Sequence, residues 1–127
     1  MSKTYKTSKE NRKILTEITR ILSLGHENHI GRIGIMMSVS NSEGIDLENI
    51  TLKDSGGKEY SNRVLFGDYE SIYKEVIAYA HQIASSDPKL DSYIKYHLDR
   101  GIELIGKSII DEQSIVSLEE FVEQHCL

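Results

Sequence analysis

The sequence predicts a mainly α-helical fold: one compact domain over residues 1–127, with about five helices and an irregular or hairpin segment near residues 41–67. Three observations carry this. Apolar residues recur at helical spacing in several segments, helix-start signatures stand in front of them, and a glycine-punctuated middle stretch breaks the period. The size is adequate. A chain of 127 residues, 39% hydrophobic and 28% charged, buries about two-thirds of its unfolded surface and holds a core without staples. Apolar runs of only a few residues exclude a helix that crosses a bilayer, and MSKTYKTSKENRK lacks the apolar stretch of a secretory signal. A single cysteine, Cys126, excludes an internal disulfide framework, and with it a zinc or iron–sulphur site built from cysteines of this chain alone. These features imply a reducing, cytoplasmic setting.

Taken in order, Thr7–Leu24 reads as the first helix. Thr7-Ser8-Lys9-Glu10 matches a capping box, Ile14, Leu15, Ile18, Ile21 and Leu22 form one stripe, and Gly25 suits a left-handed stop. The opposite face carries Lys9, Arg12, Lys13 and Arg20. A second helix is expected from about Glu27 to Ser38, with Ile30, Ile33 and Met37 on one side. Gly31 and Gly34 cost about 1 kcal/mol each inside a helix. Such a cost is met where another backbone packs closely; the alternative is a partly looped segment. Between residues 39 and 67 the period fails. Asp54-Ser55-Gly56-Gly57 signals a turn, so ITLKD and EYSNRVLF pair as a hairpin or form a long ordered loop pinned by Leu65 and Phe66. Asp68 is placed to cap a helix running to about Ala84, burying Ile72, Tyr73, Val76, Ile77, Ala80 and Ile83. Asp87-Pro88 starts another, with Leu90, Tyr93, Ile94, His97, Leu98, Gly101, Ile102 and Ile105 on its apolar face. Ser117-Leu118-Glu119-Glu120 caps a short terminal helix with Phe121 and Val122.

Familiar catalytic signatures are missing: no P-loop, G-x-G-x-x-G, G-x-S-x-G or H-E-x-x-H occurs. His26 and His29 share a helical face, but two imidazoles do not make a metal site, and they read as polar residues at a helix entry. His97, inside an apolar stripe, reads as a core or interface histidine bonded to a neighbour. Asp99 with Glu103, and Glu119 with Glu123, lie four apart, a spacing that so many acidic residues produce by chance. The reading is therefore no metal, no cofactor and no catalytic residue in this chain.

Charge is unevenly spread. Residues 1–40 hold seven Lys/Arg against three Asp/Glu, and residues 41–127 hold eight against seventeen, for a net −5. The basic set is Lys6, Lys9, Arg12, Lys13, Arg20 and Arg32, with Lys53, Lys58 and Arg63 in the irregular segment. It reads either as a solvated mixed surface or as a local phosphate-binding face, since repulsion from distant acidic groups is screened beyond about 8 Å. Without a base-reading cluster, such a face meets backbone more than sequence.

Three stretches resemble one family. RIGIMMSVS (Arg32–Ser40), LKDSGGKEYSNRVLFGDY (Leu52–Tyr69) and HLDRGIELI (His97–Ile105) are similar, in order and spacing, to blocks of the DNA sulphur modification protein DndE family, over about residues 7–107. The resemblance implies a small helical subunit whose first two helices are like those of ribbon-helix-helix proteins. It also implies a homotetramer that binds nicked double-stranded DNA through basic residues. Its pathway is DNA phosphorothioation, where a non-bridging phosphate oxygen is replaced by sulphur. Partner subunits, among them an Fe–S sulphur-transfer protein and an ATPase, supply the chemistry. The expectation is then a non-enzymatic DNA-binding subunit. Lys9, Arg12, Lys13, Arg20, Arg32 and Lys58 would be its phosphate contacts, and Tyr93, Ile94, His97 and Gly101 would line a contact between copies. The net charge of −5 leaves a protein–protein assembly factor of the same complex as the alternative, its acidic C-terminal half docking a basic partner. A helix-turn-helix regulator is the third reading, disfavoured because no recognition helix stands out.

Overall fold

The structure is a computed structural model that describes residues 3–22, 27–42, 45–46 and 49–111. The expected features at Gly25, His26, Ser117, the Glu119–Glu123 pair and Cys126 lie outside the described residues. The elements are β1 (Thr4–Lys6), α1 (Lys9–Leu22), α2 (Asn28–Ser40), β2 (Glu59–Ser61), α3 (Asn62–Phe66), α4 (Glu70–Ala80) and α5 (Leu90–Gly106). A 3₁₀ turn, Gly67–Tyr69, leads into α4, and a π turn, Lys107–Asp111, follows α5. The fold is mainly helical around one core, as the apolar periodicity requires.

The first helix starts one residue later than its capping box suggests. The Asn11 N–H donates to Ser8 Oγ at 3.0 Å, so Ser8 is the cap. Thr7 is diverted: its Oγ1 donates to the Ser8 carbonyl and accepts the Lys58 N–H at 2.8 Å. From there Leu15, Ile18 and Leu22 are buried, and Ile14 and Ile21 half-buried.

Helix α5 is the spine. Asp87 Oδ1 accepts the Lys89 N–H at 2.9 Å just ahead of it, and every apolar-face residue expected for it is buried. Helices α1, α2 and α4 all pack on it. The α2–α5 approach is closest where Gly34 meets Gly101: a Cβ on Gly101 would collide with the Gly34 backbone. Here the two helix-interior glycines find the close backbone packing that offsets their cost.

The middle segment is irregular over residues 51–58 and its end is held by the buried Leu65 and Phe66, while ITLKD and EYSNRVLF do not pair as a hairpin. Instead β2 pairs antiparallel with β1, in register Thr4↔Ser61, Tyr5↔Tyr60 and Lys6↔Glu59. Tyr5 and Tyr60, opposite one another, are both buried. The VLF triplet belongs to α3, capped by Ser61 Oγ, which accepts the Val64 N–H at 3.2 Å. Gly67 ends that helix at φ 58°, where a side chain is strained and would meet the Arg32 guanidinium. Asp68 is an exposed turn residue instead of a cap, and α4 buries only Ile77 and Ala78 fully. Ile72, expected inside, is 60% exposed, because the helix presents a different side to α5.

Candidate nucleic-acid interface

The start of α1 holds Lys9, Arg12 and Lys13, three exposed residues at i, i+3 and i+4, so their side chains leave one face of the helix. Among the described residues none of the three has an acidic partner within salt-bridge distance. What holds this helix start is a buried carboxylate on α5. Asp99 Oδ1 accepts the Ser8 N–H at 2.9 Å and the Asn11 Nδ2–H at 2.9 Å. Asp99 Oδ2 pairs with Lys95 Nζ at 2.9 Å. Lys95 also donates to the carbonyls of Lys6, at 2.7 Å, and Asp54, at 2.9 Å. One ion pair thereby ties α5 to β1, to the start of α1 and to the 54–58 loop.

The loop is strapped on from its own side as well. Asp54 Oδ2 accepts the N–H groups of Lys9, at 2.9 Å, and Gly56, at 3.1 Å. The Lys9 bond is the main reason, and the Gly56 bond the next, that its carboxyl titrates below the ordinary range. Gly57 lies so near the Ser8 carbonyl that a Cβ would overlap it. This strap delivers Lys58 to the side of α1. Its Nζ is 3.9 Å from Glu27 Oε1, while Glu27 Oε2 accepts from Thr16 Oγ1 at 3.2 Å, one turn beyond Arg12.

The remaining sequence-predicted cations are engaged elsewhere. Arg20 forms a two-point contact with Glu17, three residues back on its own helix. Arg32 turns inward: Nε donates to the Leu65 carbonyl at 2.6 Å and Nη2 to the Val64 carbonyl at 3.2 Å, satisfying the end of α3. Lys53 pairs with Glu103, and Lys6 Nζ stands 3.9 Å from Glu59. Arg63 is exposed on α3.

The four residues expected at a contact between copies all pack within the single chain. Ile94 and His97 are fully buried. Tyr93 stacks on His81 with centroids 3.7 Å apart, and Gly101 meets Gly34. The helix–helix contact implied by glycine on an apolar face exists, and its two sides are α2 and α5. His97 is a core histidine. Its Nδ1 lies 2.7 Å from Ser38 Oγ and its Nε2 lies 2.8 Å from His81 Nε2. Burial first, then the neighbouring His81 and Arg100, push its pKa down to about 3. Ser38 is itself fully buried, so this hydroxyl–imidazole pair is closed to a substrate.

A cleft of about 230 Å³ opens beside this network, lined by Thr51, Lys53, Tyr96, Asp99, Arg100 and Glu103. Its charges are already satisfied: Lys53 by Glu103, and Arg100 by the Ser38 and Asn41 carbonyls at 2.7 Å each. The Asp99–Glu103 spacing thus serves Lys95, Asn11 and Lys53. Among the described residues no three His, Cys, Asp or Glu side chains converge as metal ligands do, and no helix is long and apolar enough to cross a membrane. Sequence reasoning named Asp99 only as half of a chance carboxylate pair and Asp54 only as a turn residue, missing their anchoring roles, and it missed Lys95 altogether. The local sign of the ion pair is the i, i+4 spacing of Lys95 and Asp99, and a charge-rich chain offers many such pairs.

Comparison with known proteins adds one finding. No curated protein matches the sequence as a relative. A family model described as DNA sulphur modification protein DndE matches residues 4–111, which include both strands and all five helices of the described residues, with the α1 face among them. The chain belongs to the DndE family of DNA sulphur modification proteins.

Proposed function

We propose that this chain is a non-catalytic, DNA-binding subunit of a phosphorothioation complex, meeting the phosphate backbone of double-stranded DNA through the start of α1. The observation that carries the reading is the trio Lys9, Arg12 and Lys13, exposed on one face and unpaired among the described residues. Every other basic residue considered there except Arg63 has a partner within its own chain. A cation with no internal partner keeps its full Coulomb attraction for an external anion, and each phosphate it neutralises releases a counterion. Lys58 adds to the same face, and its Glu27 partner at 3.9 Å is a loose one. Arg20 contributes only after exchanging Glu17 for a phosphate. Arg32 acts through packing, since its guanidinium supports α3. The rigid tie of α1 to α5 through Asp99 supports backbone positioning, with sulphur chemistry performed by partner subunits.

The test is duplex binding by fluorescence anisotropy across a salt series, on intact and nicked DNA of the same sequence. Reversing Arg12 and Lys13 to Glu together should weaken binding at least about tenfold at low salt. It should also lower the slope of log affinity against log salt by about 2, one for each lost phosphate contact. Unchanged affinity and slope would overturn the reading, and tighter binding of the nicked duplex would add nick preference to it.

A further inference from the structure

Five large apolar side chains stand exposed among the described residues, and three of them lie on one stripe: Tyr69 at 60%, Ile72 at 60% and Tyr79 at 86% exposure. Single apolar residues on a surface are ordinary, but an aligned set points to a covered face. With the half-buried Val76, the positions are 69, 72, 76 and 79, a three–four–three spacing. That is the a/d repeat by which one helix seats against another. The other side of α4 is already used, since Ile77 and Ala78 are buried in the core. This helix is therefore apolar on two sides, with the core covering one and the other exposed among the described residues.

The flank of the stripe says what kind of partner fits. Asp68 and Glu75, both exposed, occupy the position just before Tyr69 and Val76, where helices in contact exchange charge. The one lysine of α4, Lys74, pairs with Glu70 at 2.7 Å and lies away from the stripe. An antiparallel second copy would set Asp68 and Glu75 against their own counterparts and be repelled. We propose that the Tyr69–Ile72–Val76–Tyr79 stripe docks an amphipathic helix of a different protein that carries Lys or Arg along its edge. The surface is separate from the DNA-binding face: α1 and α4 each pack on α5, and the proposal stands or falls without the DNA reading.

The experiment uses the full chain and two labelled helical peptides of about three heptads with Leu at a and d. One carries Lys at e and g, the other Glu. The Lys peptide should bind at least about tenfold tighter. Replacing Ile72 and Tyr79 with Ser should abolish that binding while circular dichroism and the urea midpoint stay unchanged, because both side chains are exposed. A second variant, Asp68→Lys with Glu75→Lys, should reverse the preference between the peptides. Equal binding of both peptides, or binding of neither, overturns the proposal. So does sedimentation showing that the Ile72/Tyr79 variant is a smaller assembly than the wild type, since a second copy would then be the occupant.

Discussion

Two helices of this molecule carry cations at helical spacing and use them in opposite ways. On α1, Lys9, Arg12 and Lys13 face solvent without an acidic partner among the described residues. On α5, Lys95 and Arg100 are consumed: Lys95 by Asp99 and two carbonyls, Arg100 by the Ser38 hydroxyl and two carbonyls. The Lys95 and Asp99 side chains retain only 12% and 5% of their exposure. The residue types are alike, so the difference lies in surroundings. Helix α5 runs through the middle of the fold, where segment ends and loop carbonyls need donors. Helix α1 turns its outer face to solvent, and among the described residues Lys9, Arg12 and Lys13 meet no acidic partner there. A basic residue is most available for an external anion where the fold leaves it no carbonyl or carboxylate to satisfy.

The largest effect that tests this contrast belongs to Asp99. Asp99→Ala removes the partner of a buried lysine and the acceptor of the Ser8 and Asn11 donors. It should cost about 3–5 kcal/mol, the range for breaking one side of a buried pair. Urea denaturation measures it, and a loss below about 1 kcal/mol would mean that the pair is solvated like a surface bridge.

Acid supplies the next test. His97 is neutral in the folded chain, with its pKa pushed down to about 3 from an ordinary 6.5. The unfolded chain takes up a proton below pH 6.5, and the folded one does not. Stability is therefore fully present above pH 6.5 and is lost as pH falls towards 3, by up to about 1.4 kcal/mol per pH unit for one such group. Asp54, held below its ordinary value, works in the same direction, but its share is present above the ordinary carboxyl range and is lost only at lower pH. Between pH 6.5 and 4.5 the slope belongs to histidine. His97→Gln should flatten it, and an unaltered slope would place the responsible groups elsewhere.

The smallest effect falls on α1. Reversing Arg12 and Lys13 to Glu should change unfolding free energy by less than about 0.5 kcal/mol, the ordinary range for exposed sites, even though DNA retention drops. A larger loss would show that these side chains hold the fold, and the contrast with α5 would disappear.

Much of the helical frame was legible. The stripe from Leu90 to Ile105 places every expected apolar-face residue of α5 in the core, because amphipathic period is a local property, although the helix begins at Leu90, two residues after Pro88, and also buries Asp99 and Gly106. Glycine at 34 and 101 also announced a close backbone approach, although sequence could not say that the two would meet each other. The β1–β2 pairing was not legible: each strand has three residues, too few for an alternation to show, and they come from distant parts of the chain. Ile72 was misread for a related reason. A helix apolar on two sides does not reveal which of them meets the core.

The cationic face was half legible. Helical spacing put Lys9, Arg12 and Lys13 together and also set Glu17 three residues from Arg20 on the same helix, while the diversion of Arg32 to the α3 carbonyls depended on neighbours in space.

Local chemistry in the chain was enough to establish a helical protein with one basic end, since period, caps and charge order are all read within a few residues. Which cations stand unpaired among the described residues, which carboxylate anchors the helix they stand on, and which apolar side of α4 is exposed there were settled by long-range packing. Burial assigns partners by distance in space, and distance in space is the quantity a linear order of residues does not contain.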